Sequence, residues 1–198
     1  MLIGFSGSCN SGKTTLARLL AEELRSRGFR VELIEEVVRE VFEEWGSSSL
    51  EELRRGEHDR FQLEVLKRQL ERENVAMKRA EVVIVDRTIY DNLFYTILWN
   101  SKNWRVLNEY ARMIGRIGRR YDIVFHCRPL NGVCRDGFRD PDLRYVDLQD
   151  VVIELLADRE NLVIVEEGSV KERLDFILKK LSLHLSYPVS DVNDLVGF

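Results

Sequence analysis

Apolar residues along this chain fall into short runs that alternate with stretches of helical period. Leu2-Ile3-Gly4-Phe5 reads as a buried first strand, and Leu16, Leu19, Leu20 and Leu24 then mark one face of a helix that Gly28 can stop. Val31 to Ile34 reads as a second strand, and Val37 to Trp45 as a helix ending at Gly46. Ser49-Leu50-Glu51-Glu52 has the spacing of a capping box. It opens a long charged region in which Leu63, Leu66, Leu70 and Met77 are expected to form the buried stripe.

Val82-Val83-Ile84-Val85 is the most strand-like run in the chain. Helices are predicted over Tyr90 to Trp99 and Trp104 to Ile117, with a fourth strand at Ile123-Val124-Phe125. Arg128 to Asp140 is rich in Gly, Pro and charge and reads as a loop. Asp140-Pro141 pairs a cap residue with proline at the first helical position, predicting a helix to about Ala157. Leu162 to Val165 is the fifth strand, and the capping box Ser169 to Glu172 opens a last helix with Leu174, Ile177, Leu178 and Leu181 on one face.

Strands alternating with helices imply parallel crossovers, hence an α/β fold with helices on both faces of a parallel sheet. One domain over residues 1–182 followed by an irregular tail, 183–198, accounts for the whole pattern. The tail's Tyr187, Val189, Leu195, Val196 and Phe198 can dock a partner or second subunit, or be a loosely packed end.

Composition narrows the function. The 198 residues carry a net charge of −4, without the basic excess of a general nucleic-acid binder. No apolar run is long enough to cross a membrane, and no signal peptide is visible before the first strand. Three cysteines, Cys9, Cys127 and Cys134, are too few and too odd for a disulfide framework, so a reduced, cytoplasmic setting is expected. The gap between Cys127 and Cys134, without a matching His/Cys pair, argues against a metal site there.

The chemistry starts at Gly7-Ser8-Cys9-Asn10-Ser11-Gly12-Lys13-Thr14, which fits G-x-x-x-x-G-K-[ST] and sits between a predicted strand and a predicted helix. Glycines there let backbone amides converge on phosphates at a helix N-terminus. ATP is therefore the expected cofactor, with Lys13 reaching the β/γ-phosphates, the Thr14 hydroxyl on Mg²⁺ and Thr15 near the α-phosphate. Cys9 lies inside the loop, where it can fill space or serve as an oxidation-sensitive switch. The acid ending the third strand, Asp86, is the candidate second metal residue, or else an acidic strand cap. It is followed by Arg87 and not by the water-polarising Glu of many hydrolytic ATPases. No Asn-Lys-x-Asp guanine-reading motif occurs. Glu35 and Glu36 close the second strand on the same sheet edge, where a carboxylate can accept the proton of a substrate hydroxyl.

The segments "GSCNSGKTTLARLL", "LIEEVVRE", "FQLEVLKRQ", "VVIVDRTIYDN", the arginine-rich loop and "VEEGSVKERLDFI" resemble the nucleoside and nucleotide kinase group of P-loop proteins. The likeness over residues 1–182 is greatest to nicotinamide-riboside-kinase-like domains, often labelled AAA-like predicted ATPases; thymidylate and deoxynucleoside kinases are more distant. The resemblance implies a five-stranded parallel sheet of order 2-3-1-4-5. It favours Glu36 as the acid at the acceptor, with Arg39 steadying it or touching substrate phosphate, because "EVVRE" is similar to the family's Glu-x-x-Arg. It implies that Phe61 and Gln62 stack on and hydrogen-bond a base, and that Arg87 and Tyr90, with Asp91, line the acceptor pocket. It implies a mobile lid at about 128–144, with Arg135 and Arg139 the first choices to meet the transferring phosphoryl. Gly168 and Ser169 match its adenine-side loop. Each of these residues also has a plain structural reading: Glu36 as a solvated helix start, Phe61 as core, Ser169 as a helix cap.

The expected activity is ATP- and Mg²⁺-dependent phosphoryl transfer to a small hydroxyl-bearing metabolite, a nucleoside or nicotinamide-riboside-like riboside. The alternative is an ATP-binding regulatory or interaction module with slow or no hydrolysis. A small-molecule substrate and no nucleic-acid or membrane partner are expected, and a homodimer is left open.

Overall fold

A computed structural model describes residues 1–46, 52–53, 56–100, 103–130, 143–157 and 159–183. Five strands and seven α-helices alternate among them: β1 Leu2–Ser6, α1 Lys13–Ser26, β2 Val31–Ile34, α2 Val37–Trp45, α3 His58–Ala76, β3 Val82–Asp86, α4 Ile89–Asn100, α5 Trp104–Ile117, β4 Ile123–Cys127, α6 Leu143–Leu156, β5 Leu162–Val165 and α7 Val170–Ser182. All neighbouring strands pair in parallel, in the order β2-β3-β1-β4-β5. This is the α/β sheet and strand order expected above.

Strand alternation divides the apolar residues between two cores. Val82 and Ile84 of β3 face α1 and α7, packing with Leu16, Leu20, Leu24, Ile177 and Leu181. Val83 and Val85, one residue out of phase, face the other layer with Val41, Phe61, Leu66 and Ile89. Burial on both faces explains why β1, β3 and β4 are continuous apolar runs, while the edge strands β2 and β5 are only half-buried over most of their length.

One predicted stripe is corrected. On α3 the buried face is Phe61, Val65, Leu66 and Ala76 together with the polar His58, Gln62, Gln69 and Glu73. Leu63 and Leu70 only flank the core, and Met77 caps the helix at the surface. A search for an apolar stripe misses this face because half of it is polar. Those polar residues are buried for their hydrogen bonds, not for their hydrophobicity. The proposed helix starts at Ser49 and Asp140-Pro141 lie, wholly or in part, outside the described residues, as do residues 184–198.

Candidate nucleotide and acceptor site

The loop after β1 is built on backbone conformations that few side chains allow. Gly7 has φ 137°, and a Cβ there would lie 2.4 Å from the carbonyl oxygen of Cys127. Asn10 and Gly12 also have positive φ. The loop is braced from three sides. The Gly7 amide donates to Asp91 Oδ1 (3.4 Å), Arg173 Nη1 to the Ser11 carbonyl (2.7 Å), and the Leu130 amide to the Asn10 carbonyl (3.0 Å). Lys13 is buried, its Nζ donating to the Ser8 carbonyl at 3.2 Å. Gly12 is the N-cap of α1, and the first turn of that helix holds no acid. The helix dipole and the amides converging at this helix N-terminus therefore favour an anion here. Cys9 is buried within the loop.

Behind Lys13, Thr14 Oγ1 donates to Asp86 Oδ2 at 2.6 Å, so the loop and the end of β3 meet. Asp86 Oδ1 is buried without a hydrogen-bond partner. A hydroxyl and an orphaned carboxylate oxygen side by side fit a hard cation. Among the described residues no group of three or more His, Cys, Asp or Glu could hold a metal. Thr14 and Asp86 could thus hold a cation only with further oxygens from a bound nucleotide and water.

The next residue turns sharply. Arg87 has φ 87°, strained for a side chain, and is buried. Its amide donates to the Phe5 carbonyl and its carbonyl accepts from Gln69 Nε2, both at 2.9 Å. This elbow sends Asp86 to the phosphate side and the Arg87 side chain into a cleft. The P-loop residues Ser8 and Cys9 line the same cleft as Glu36, Gln62, Gln69, Arg87, Asp91 and Asn92. Its apolar walls include Phe94, Tyr95, Trp99 and Tyr145.

Within the cleft Arg87 Nε pairs closely with Glu36 Oε1, its Nη1 lies 3.8 Å from Asp91 Oδ1, and its guanidinium sits over the Tyr95 ring at 5.5 Å. Burial works against this charge, but Glu36, with Tyr95, Asp91 and Asp86, outweighs it and holds the pKa well above the usual arginine range. The other Glu36 oxygen accepts from Arg39 at 3.1 Å. Asp91 also takes the Thr88 amide and hydroxyl (both 2.8 Å) and Gln149 Nε2 (3.0 Å). Gln62 is fixed at both ends of its amide: Oε1 accepts from Asn92 Nδ2 (2.8 Å), and Nε2 lies 3.2 Å from His58 Nε2. One amide hydrogen and one lone pair of Gln62 are left over, enough to read a ring edge.

Not every expected residue reaches the cleft. Phe61 is fully buried in the core, edge-on to Trp45, and Tyr90 packs in the same core against Tyr121. On each helix it is the neighbour, Gln62 or Asp91, that turns to the cleft. Arg39 stays half-exposed outside it. Ser169 caps α7: its Oγ accepts from the Glu172 amide while its own amide donates to Glu172 Oε2. Arg135 and Arg139 lie outside the described residues. Arg128, at the base of the expected lid, pairs with Asp150 and Glu154 of α6. Sequence reasoning missed His58, Asn92, Gln149 and Arg173. The readable signals were polar residues at helical spacing on α3 (58, 62, 69) and the adjacent polar pair 91 and 92 on α4.

Residues 2–173 match the model of the AAA domain family. The chain belongs to this family. Over 98 residues it is 32% identical to a protein named probable thymidylate kinase from Archaeoglobus fulgidus, an alignment that spans 48% of this chain and 49% of that one. Two solved structures of the NadR protein share the fold of this AAA domain. One, in complex with NR, has a TM-score of 0.68 and 16% identity. The other, in complex with NAD and AMP-PNP, has a TM-score of 0.65 and 15% identity. Each match covers 97% of this chain but only about half of the NadR chain (53% and 51%). Among the described residues no helix of this AAA domain is long and apolar enough to cross a membrane.

Proposed function

We propose that this AAA domain is a kinase that moves the γ-phosphoryl of ATP to a hydroxyl of a small riboside carrying no phosphate of its own. The observation that carries this reading is the shared cleft: P-loop residues Ser8 and Cys9 border the same space as the Glu36–Arg87 pair and Gln62. A purely hydrolytic site needs room for water beside the γ-phosphate. This cleft adds aromatic walls and a fixed amide, which suit a ring-bearing acceptor.

Charge supports the choice of acceptor. Among the described lining residues, Glu36 and Asp91 stand against one guanidinium, that of Arg87. A nucleoside monophosphate would bring its negative charge to two carboxylates. An uncharged hydroxyl can donate to Glu36 while Arg87 keeps that carboxylate in place. Both Glu36 oxygens are paired, one with Arg87 and one with Arg39. Its main contribution is to orient the hydroxyl, which suffices where the transition state is loose and positioning dominates. Lys13 and the P-loop amides hold the phosphates. A magnesium ion on Thr14 and Asp86, when bound, supplies charge neutralisation. The likeness to a probable thymidylate kinase and to the NadR protein solved with NR supports a kinase-type reading.

The test is purified protein with ATP, Mg²⁺ and a panel of ribosides and their monophosphates, followed by product mass. A phosphorylated riboside is expected. Hydrolysis alone, unaltered in Glu36→Gln, would reject the reading. A second reading, an ATP-binding interaction module, draws on Leu148, Val151 and Leu155, which are exposed at helical spacing on α6. An ATP-dependent change in assembly state, without any acceptor, would favour it.

A further inference from the structure

The α3 face that carries Gln69 and Glu73 poses a question of cost. Glu73 is a fully buried carboxylate, and buried charge is unfavourable unless closely satisfied. Its Oε1 accepts from Gln69 Nε2 and from Tyr121 Oη, both at 3.0 Å. Its Oε2 lies 2.6 Å from Arg120 Nε, a close ion pair without ideal hydrogen-bond alignment. Apolar residues of the same volume would pack here without that cost, so packing alone does not explain the acid.

The hydrogen-bond directions explain it. A carboxylate only accepts, and with Arg120 on Oε2 both Oε1 partners must donate. Tyr121 spends its proton on Glu73, so its oxygen is left to accept the Ile89 amide at 3.1 Å. Gln69 must turn its NH₂ toward Glu73, and its second hydrogen then meets the Arg87 carbonyl at 2.9 Å. One buried acid thus orients the two side chains that satisfy the carbonyl before Thr88 and the amide after it. Those two groups bracket the strained elbow that aims Arg87 at Glu36.

We infer that Gln69, Tyr121 and Glu73 are positioning residues that clamp the β3–α4 elbow and so aim Arg87 at the acceptor, an inference that rests on the kinase reading above. They act through Arg87. Removing any of them should therefore damage acceptor use before nucleotide binding. Burial pushes the Glu73 carboxyl upward while Arg120, Gln69 and Tyr121 pull it back, which fits an acid held in place for orientation.

The test uses the full chain with the near-isosteric substitutions Gln69→Met and Tyr121→Phe, checked by thermal melting. Gln69→Met is expected to lower kcat/KM for the riboside ten- to a hundredfold, with fluorescent-ADP affinity within twofold of wild type. It should cause no further loss when added to Arg87→Ala, because its effect passes through that residue. Losses that multiply in the double variant, or a parallel loss of ADP affinity, would overturn the inference. Two NMR measurements separate it from the kinase reading. In Tyr121→Phe the Ile89 amide should exchange at least tenfold faster, and in Gln69→Met the Arg87 Nε–H signal should lose its slow exchange. If wild type phosphorylates no riboside, the kinase reading fails. These two signals then decide the clamp by themselves, and unchanged exchange at both sites overturns it.

Discussion

The two sides of the cleft are built differently. The phosphate side is one contiguous segment, Gly7 to Thr14, joined by Asp86 at Thr14 and braced by Asp91, Arg173 and Leu130. Its geometry comes from the backbone: positive φ at Gly7, Asn10 and Gly12, and a helix N-terminus behind them. The acceptor side is assembled from side chains on α2, α3, α4 and α6, each held by a partner on another element. A backbone cradle needs only the right residue types at fixed spacing. A side-chain cavity needs partners that no local pattern names. The phosphate side should therefore be intolerant at single positions, and the acceptor side should be tunable.

The most sensitive position is Lys13. Lys13→Ala should reduce transfer and hydrolysis alike by at least about a thousandfold, the scale of losing a direct electrostatic contact to the reacting group, with the melting temperature near wild type. Next is Glu36→Gln, for which transfer should fall by roughly a hundredfold through lost positioning while ADP titration gives an unchanged affinity. Unequal effects of these two variants on nucleotide binding would confirm that the two sides are separable. Gly7→Ala places a methyl 2.4 Å from the Cys127 carbonyl. It should destabilise the fold by about 1–3 kcal/mol through forced backbone strain, read by chemical denaturation, and lose nucleotide binding as well.

A smaller effect sharpens the acceptor side. Asn92→Ala frees one end of the Gln62 amide and should raise KM for the riboside by about tenfold, the order expected for one buried hydrogen bond, with little change in KM for ATP. The smallest effect is at Cys127, where burial pushes the thiol up to about 12. It should resist alkylation at pH 8 in the native state and react once the chain unfolds. A thiol raised in the folded state favours folding below its unfolded pKa, and that contribution fades as pH climbs toward the folded value. Stability should thus decline on the alkaline side, and Cys127→Ala should flatten that decline.

What was legible in the sequence follows the same division. The α/β class and nearly all the helices and strands read from the alternation of runs because both sheet faces are buried and the central strands are purely apolar. The P-loop and Asp86 read from spacing. The acceptor cavity did not, for a physical reason. Phe61 and Gln62 are adjacent, yet helical geometry sends one to the core and the other to the cleft; Tyr90 and Asp91 part in the same way. Asn92 and Gln149 contribute through partners 30 and 58 residues away, and no local window along the chain contains those pairs; only His58, one helical turn from Gln62, shares a window with its partner. The face of α3 was misphased because buried amides and an acid occupy positions where an apolar stripe was sought.

The central claim is that phosphate grip and acceptor aim meet at the Asp86–Arg87 elbow in one cleft. The most direct measurement is a single-turnover transfer assay with radiolabelled ATP and the best riboside of the panel, run on wild type and Glu36→Gln at matched nucleotide occupancy. The expected result is labelled phosphoriboside from wild type and a loss of roughly a hundredfold in the variant, with bound ATP unchanged. Label appearing only as free phosphate, at equal rates in both proteins, would contradict it.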